Sequence, residues 1–126
     1  MTKDDIEIRF AKTHMHGHRL RYVYRPSRTR QNYPRILVFL HGYGEGGRAN
    51  AVTKYGPLST GARPYTDDFV IVCPICRGFY WWSVSSLIAF FEEIVADHRT
   101  TGRAMCIMGV SMGAYAIWRL ITLRPQ

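Results

Sequence analysis

One serine stands between two glycines in Gly109-Val110-Ser111-Met112-Gly113, a G-x-S-x-G pattern. A serine hydroxyl serves as a nucleophile when its oxygen is held out for attack, beside donors that stabilise developing negative charge. The flanking residues suit that task. An apolar run, Ala104 to Met108, leads into the motif, and an apolar helical pattern leaves it. Strand, sharp turn and helix in that order put the serine in a strained conformation. A side chain at Gly109 or Gly113 would then crowd the neighbouring strand or helix. The Met112 N–H begins the helix, where it has no intrahelical acceptor and favours an anion. The plain alternative is a glycine-flanked helix start with Ser111 as its cap.

A second glycine cluster, "FLHGYGEGG", covers Phe39 to Gly47. Gly42, Gly44 and Gly47 also spell G-x-G-x-x-G, the dinucleotide-binding fingerprint, which wants an acidic residue at the end of the next strand. Asp67 and Asp68 precede the apolar run Phe69 to Cys73, so they would stand at its wrong end. Gly56-Pro57 also interrupts the segment between. The nucleotide reading is therefore the weaker one.

Other reactive side chains are less organised. "HMHGH" sets His14, His16 and His18 at alternate positions, but no carboxylate or thiolate lies nearby to complete a metal site. Exposed hairpin histidines are expected, and no metal. Cys73 and Cys76 form a lone C-x-x-C without a second pair. Cys73 and Cys106 lie in apolar runs and are expected as buried thiols of a reduced, intracellular chain. Trp81 and Trp82 either line a substrate pocket or cover a helix start; both roles suit aromatic residues.

The elements that must position these residues follow from periodicity. "IEIRF" (Ile6 to Phe10) and "HRLRYVY" (His18 to Tyr24) alternate apolar and polar residues, as half-buried strands do, and "HMHG" supplies a hairpin turn. A polar loop spans Pro26 to Pro34. Arg35 to Leu40, Phe69 to Cys73 (stopped by Pro74) and Ala104 to Met108 are continuous β-rich runs, suited to strands covered on both faces. Residues 48–55 suit a short helix. Ser83 to His98 is amphipathic, with Leu87, Ile88, Phe90, Phe91, Ile94 and Val95 on one face and serines available as caps. Met112 to Leu123 is a further helix, more apolar than an exposed one should be. Strands alternating with helices in the later part imply a parallel sheet with helices on both faces, entered through an antiparallel hairpin.

Composition narrows the class. The 126 residues suffice for one domain, and 47% hydrophobic with 21% charged residues is globular composition. The formal net charge is +8, mostly arginine, but only Arg25 to Gln31 is dense in basic residues. A solvated surface is expected there, with no nucleic-acid partner. The opening residues lack an apolar signal region, and "SLIAFFEEIVA" carries two glutamates and is too short to span a bilayer. A cytoplasmic chain is expected.

Taken together, "RILVFLHGYGEGG", "FVIVCP", "WWSVSSLIAFFEEIV" and "GVSMGAYAIW" resemble the α/β-hydrolase superfamily, and within it the carboxylesterase/phospholipase-like and predicted-peptidase group. The resemblance covers about Ile6 to Gln126. It implies Ser111 as nucleophile and the backbone N–H groups of Tyr43 and Met112 as oxyanion hole. It makes His41, Gly42, Gly44, Gly109 and Gly113 structural parts of the motifs, with His41 bracing its loop instead of acting as base. The implied reaction is hydrolysis of a carboxylic ester or thioester through an acyl-enzyme, or a peptidase-like variant, without a cofactor.

One departure is large. The group's order is nucleophile, acid, histidine, yet no Asp, Glu or His follows Ser111. Asp97 and His98 lie at the far end of their helix. The expectation is the N-terminal part of such a hydrolase, lacking the last strands and two triad members, with weak activity or none by itself. The competing class is an interaction module of the same fold, separable from an enzyme by whether Ser111 reacts with an activated phosphonate. The strand Ala104 to Met108 would then be an unprotected edge open to self-association.

Overall fold

The computed structural model describes residues 6–28, 35–42, 56–59, 62–76, 81–97 and 105–123. Alternation at the start of the chain yields strands β1 (Glu7–Met15) and β2 (His18–Arg25), paired antiparallel. A two-residue turn joins them. His16 and Gly17 have φ of 54° and 81°, the left-handed pair that matches the twist of a tight hairpin. The three histidines therefore fall on two strands and the turn between them, and they share no single strand face.

β1 runs further than the alternation of Ile6 to Phe10 indicates. It continues through a bulge between Phe10 and His14, which leaves N–H groups without ladder partners. Glu93, from a helix far along the chain, takes them. Its carboxylate accepts the Lys12 N–H at 2.8 Å, the Thr13 N–H at 3.0 Å and the Thr13 hydroxyl at 2.7 Å.

The apolar runs become β3 (Arg35–Leu40), β4 (Phe69–Ile75) and β5 (Met105–Gly109). The sheet order is β1-β2-β4-β3-β5. β2 meets β4 antiparallel, while β4, β3 and β5 are mutually parallel. The expected hairpin thus leads into a parallel sheet. β4 passes through Pro74 instead of stopping there. Its last pair with β3 is Val38 with Val72, so Pro74 lies where that side of the strand is no longer paired and a missing donor is tolerated.

Side-chain alternation divides the core in two. Ile36, Val38 and Leu40 face helices α2 (Val84–Asp97) and α3 (Met112–Leu123), meeting Leu87, Phe90, Ile94, Met112, Ala116 and Leu120. Leu37 and Phe39 face the other way, with Val23, Ile71, Cys73 and Ile75. The 3-10 turn Gly56–Leu58 packs on this second face, where a Cβ at Gly56 would stand 3.0 Å from the Phe39 ring. Short helix α1 (Arg63–Thr66) follows. Both long helices therefore share one face, and the described helical segments toward the other are short. The helix expected over 48–55, and His98, lie outside the described residues. Ser83 caps α2: its carbonyl takes the Leu87 N–H at 2.9 Å and its hydroxyl the Ser86 N–H at 3.4 Å.

Two expectations are overturned. Arg25, read as part of a solvated basic run, is 1% exposed. Its guanidinium donates to the Thr66 and Phe69 carbonyls, and Arg28 pairs with Asp67 at 3.0 Å, so this segment stitches the end of β2 to the start of β4. Cys106, expected to be buried like Cys73, is exposed. β5 is the edge of the described sheet, and its Cys106 and Met108 are exposed on the face away from the two long helices. Cys73 and Cys76 are both buried but belong to opposite core faces, so the C-x-x-C spacing does not bring the thiols together.

Candidate active site

The elbow follows from how β5 is paired. Leu40 and Gly109 are the last partners of the β3–β5 ladder, and the next N–H, of Val110, still reaches the Leu40 carbonyl at 3.2 Å. Two residues later the chain is already helical. The reversal falls on Ser111, whose φ is 55°. A residue with a Cβ costs roughly 1–2 kcal/mol there. The Gly113 N–H donates to Val110 O at 2.9 Å, closing the turn, and the Tyr115 N–H donates to Ser111 O at 3.0 Å. Ser111 is exposed at the C-terminal edge of the parallel strands.

The two glycines are required by close approach. A Cβ at Gly109 would lie 2.6 Å from the Gly113 carbonyl carbon and 2.8 Å from Ala114 N. A Cβ at Gly113 would overlap the Leu40 carbonyl oxygen and stand 2.7 Å from its carbon. Helix α3 therefore rests directly on the ends of β3 and β5. Met112 is its first residue, and its N–H has no acceptor within the helix.

His41 follows Leu40 at the same sheet edge and is fully buried. Its Nε2 accepts the Cys76 N–H at 2.9 Å, which puts the ring proton on Nδ1, donated to Gly42 O at 2.8 Å. The His41 carbonyl accepts the Trp82 indole N–H at 3.0 Å, and the two rings pack 4.8 Å apart. This imidazole ties the end of β3 to the end of β4 and to the segment entering α2. Gly42 is buried beside it. Tyr43 and Gly44 lie outside the described residues.

Trp81 and Trp82 part company. Trp82 is 7% exposed and serves the core, while Trp81 is 54% exposed. The Trp81 ring meets Tyr115 edge-on at 5.8 Å, and its carbonyl lies 2.7 Å from His16 Nε2 of the hairpin turn. Between the start of α2 and the first turns of α3 is a cleft of about 390 Å³. Met112 and Ala116 lie on one side, Trp81 and Trp82 on another, and Tyr115 and Arg119 continue along α3. Sequence patterning pointed to the tryptophans but missed Arg119 and His16. Arg119 is one helical turn after Tyr115, and that spacing was the available signal.

Among the described residues, no histidine or carboxylate hydrogen-bonds the Ser111 hydroxyl. His16 shares the sheet edge with Ser111, but β2 and β5 are three strand spacings apart, about 14 Å. Asp97 ends α2, at the far end from Val84. No described group of histidine, cysteine or carboxylate side chains is arranged to hold a metal ion. Asp67 and Asp68 precede β4, at the sheet edge opposite Gly42, so the nucleotide fingerprint is not completed. No described helix is long and apolar enough to cross a membrane.

Comparison with known proteins separates sequence from fold. No family model matches the sequence, and no curated protein matches it. Solved structures do. A thermostable esterase superposes over 97% of this chain and 38% of its own, at 20% identity and a TM-score of 0.74. Prolyl endopeptidase matches 99% of this chain and 20% of its own, at 16% identity and a TM-score of 0.66. Thermogutta terrifontis esterase 2, in a structure phosphorylated by paraoxon, matches 89% and 45%, at 14% identity and a TM-score of 0.56. The chain has the α/β-hydrolase fold. It spans 38% of the thermostable esterase's length.

Proposed function

We propose that this chain carries the nucleophile of a serine hydrolase acting on carboxylic esters or thioesters, with peptidase-like activity as the near variant. The observation that carries the reading is Ser111 at φ 55°, between two glycines that contact leaves no room to replace. Backbone strain of that kind persists where surrounding packing enforces it, and it is common at functional sites. Ser111 Oγ attacks the acyl carbon, and the alcohol or thiol leaves. Water then hydrolyses the acyl-serine. The N–H groups of Met112 and Tyr43 stabilise the oxyanion. His41 holds Gly42 through Nδ1 and Cys76 through Nε2, which supports a structural part for it and for the glycines that follow, Gly44 among them. Trp81 and Trp82 wall the pocket for the acyl or alcohol group.

No Asp, Glu or His stands among residues 112–126, and no described histidine or carboxylate hydrogen-bonds Ser111. By themselves these residues supply an elbow and the two backbone donors proposed for the oxyanion hole. Removing triad members in a related chemistry leaves about 10³–10⁴-fold catalysis over water, so weak turnover of activated esters is expected here. The test is labelling with a fluorophosphonate at alkaline pH, where hydroxide replaces the missing base. Oγ bonds to phosphorus, fluoride leaves, and the hydroxyl proton goes to hydroxide. Slow stoichiometric addition at Ser111, absent in Ser111→Ala, is expected. Equal labelling of several serines, or none at Ser111, overturns the assignment and leaves a binding module of the same fold.

A further inference from the structure

The cleft beside the elbow has a chemical character beyond its shape. Helix α3 carries one charged residue, Arg119, in twelve. An exposed amphipathic helix places its charge on the side away from the core. Here that outward side holds Trp118, 66% exposed, while Arg119 lines the cleft with Tyr115. No carboxylate lines the cleft, and Arg119 makes no ion pair among the described residues. The remaining walls are apolar or aromatic: Trp81, Trp82, Met112 and Ala116. A volume of about 390 Å³ suits a small ligand.

We propose that this cleft binds organic acids with an aromatic or apolar body and a carboxylate, the carboxylate seated on Arg119. A guanidinium presents a planar fork that matches a carboxylate with two parallel hydrogen bonds. The body of the ligand packs on the face of Tyr115 and the indole of Trp81, which already meet edge-on at 5.8 Å. Met112 at the inner end adjoins Ser111. Eight residues of helical rise separate Ser111 from Arg119, about 12 Å along the axis. For the substrate, this means an acidic group remote from the scissile ester, on a chain or ring long enough to span that distance. That extension to substrate rests on the nucleophile reading of Ser111; the binding itself does not.

The experiment is a titration of the protein with 4-phenylbutyrate and with its neutral isostere 4-phenylbutanamide, read by tryptophan fluorescence and calorimetry. Saturable binding of the acid is expected, at least tenfold tighter than the amide. In Arg119→Gln, the acid falls to the level of the amide; Arg119→Lys keeps part of the preference. Arg119 is exposed, and a melting curve confirms that the variants fold. Ser111→Ala binds the acid as the parent does, and bound acid slows fluorophosphonate labelling of Ser111 in the parent. Equal binding of acid and amide, no binding of the acid at millimolar concentration, or full retention in Arg119→Gln overturns the proposal. If binding holds while labelling at Ser111 fails, the nucleophile reading falls alone.

Discussion

Gly113→Ala tests the packing that creates the elbow. The added methyl would overlap the Leu40 carbonyl oxygen and stand 2.7 Å from its carbon and 2.9 Å from its Cβ. Two of these are backbone atoms at the end of a central strand, so they cannot swing aside as a flexible side chain would. Ordinary carbon contacts begin near 3.5 Å, so the first turn of α3 must lift by about 1 Å. Overpacking of this severity costs about 3 kcal/mol. Alanine returns up to about 1 kcal/mol of helix propensity over glycine. The net loss is about 2 kcal/mol, which for 126 residues lowers the melting midpoint by about 8 °C, at about 4 °C per kcal/mol. Thermal and urea unfolding followed by circular dichroism measure it. The same lift displaces Ser111, and a misplacement near 1 Å is worth about 10²-fold in rate, so fluorophosphonate labelling should slow sharply. A variant melting at or above the parent temperature would refute the close approach of α3 to β3, and with it the reason for glycine at this position.

Three further outcomes follow from other parts of the molecule. Ser111→Gly relieves the left-handed backbone and should be about 1 kcal/mol more stable than Ser111→Ala by urea unfolding; equal midpoints would mean Ser111 carries no strain. Glu93 is held below its ordinary carboxylate value: burial alone raises it, but hydrogen bonds from the Lys12 and Thr13 N–H groups and the Thr13 hydroxyl outweigh that. Its contribution is therefore present above about pH 4.5 and is lost as pH falls further. Glu93→Ala should cost about 1–2 kcal/mol at pH 7, and the gap to the parent should narrow in acid; a pH-independent gap refutes the charged role. The third concerns β5. Because the Val110 N–H points to β3, alternation turns the N–H and C=O groups of Met105, Ile107 and Gly109 toward the open edge. With Met108 and Ile121 exposed, concentration-dependent self-association is expected in analytical ultracentrifugation, weakened by Met108→Lys. A parent chain that stays monomeric at high concentration contradicts it.

Local chemistry in the sequence determined most of the site's framework. Period-2 alternation, apolar runs too short for helices and glycines at the strand ends specified the hairpin, the three parallel strands and the turn into α3. These features are local because side-chain direction repeats within a few residues. What lay beyond the sequence depended on partners brought from far along the chain. The bulge in β1 exists because Glu93 accepts its stray N–H groups, and no pattern near Phe10 encodes a carboxylate on α2. Arg25 reads as a solvated cation until the carbonyls of Thr66 and Phe69 surround it. Cys106 sits in a run as apolar as that of Cys73, and only its place at the edge of the described sheet exposes it. Pro74 looks like a stop until the pairing with β3 is seen to have ended two residues earlier. Arg119 is one arginine among many in the sequence; the tertiary packing of α3 beside Trp81 turns it into the wall of a cleft. Composition and periodicity specify how a segment folds on itself. Which polar groups lose water, and against what partner, is decided when distant segments meet.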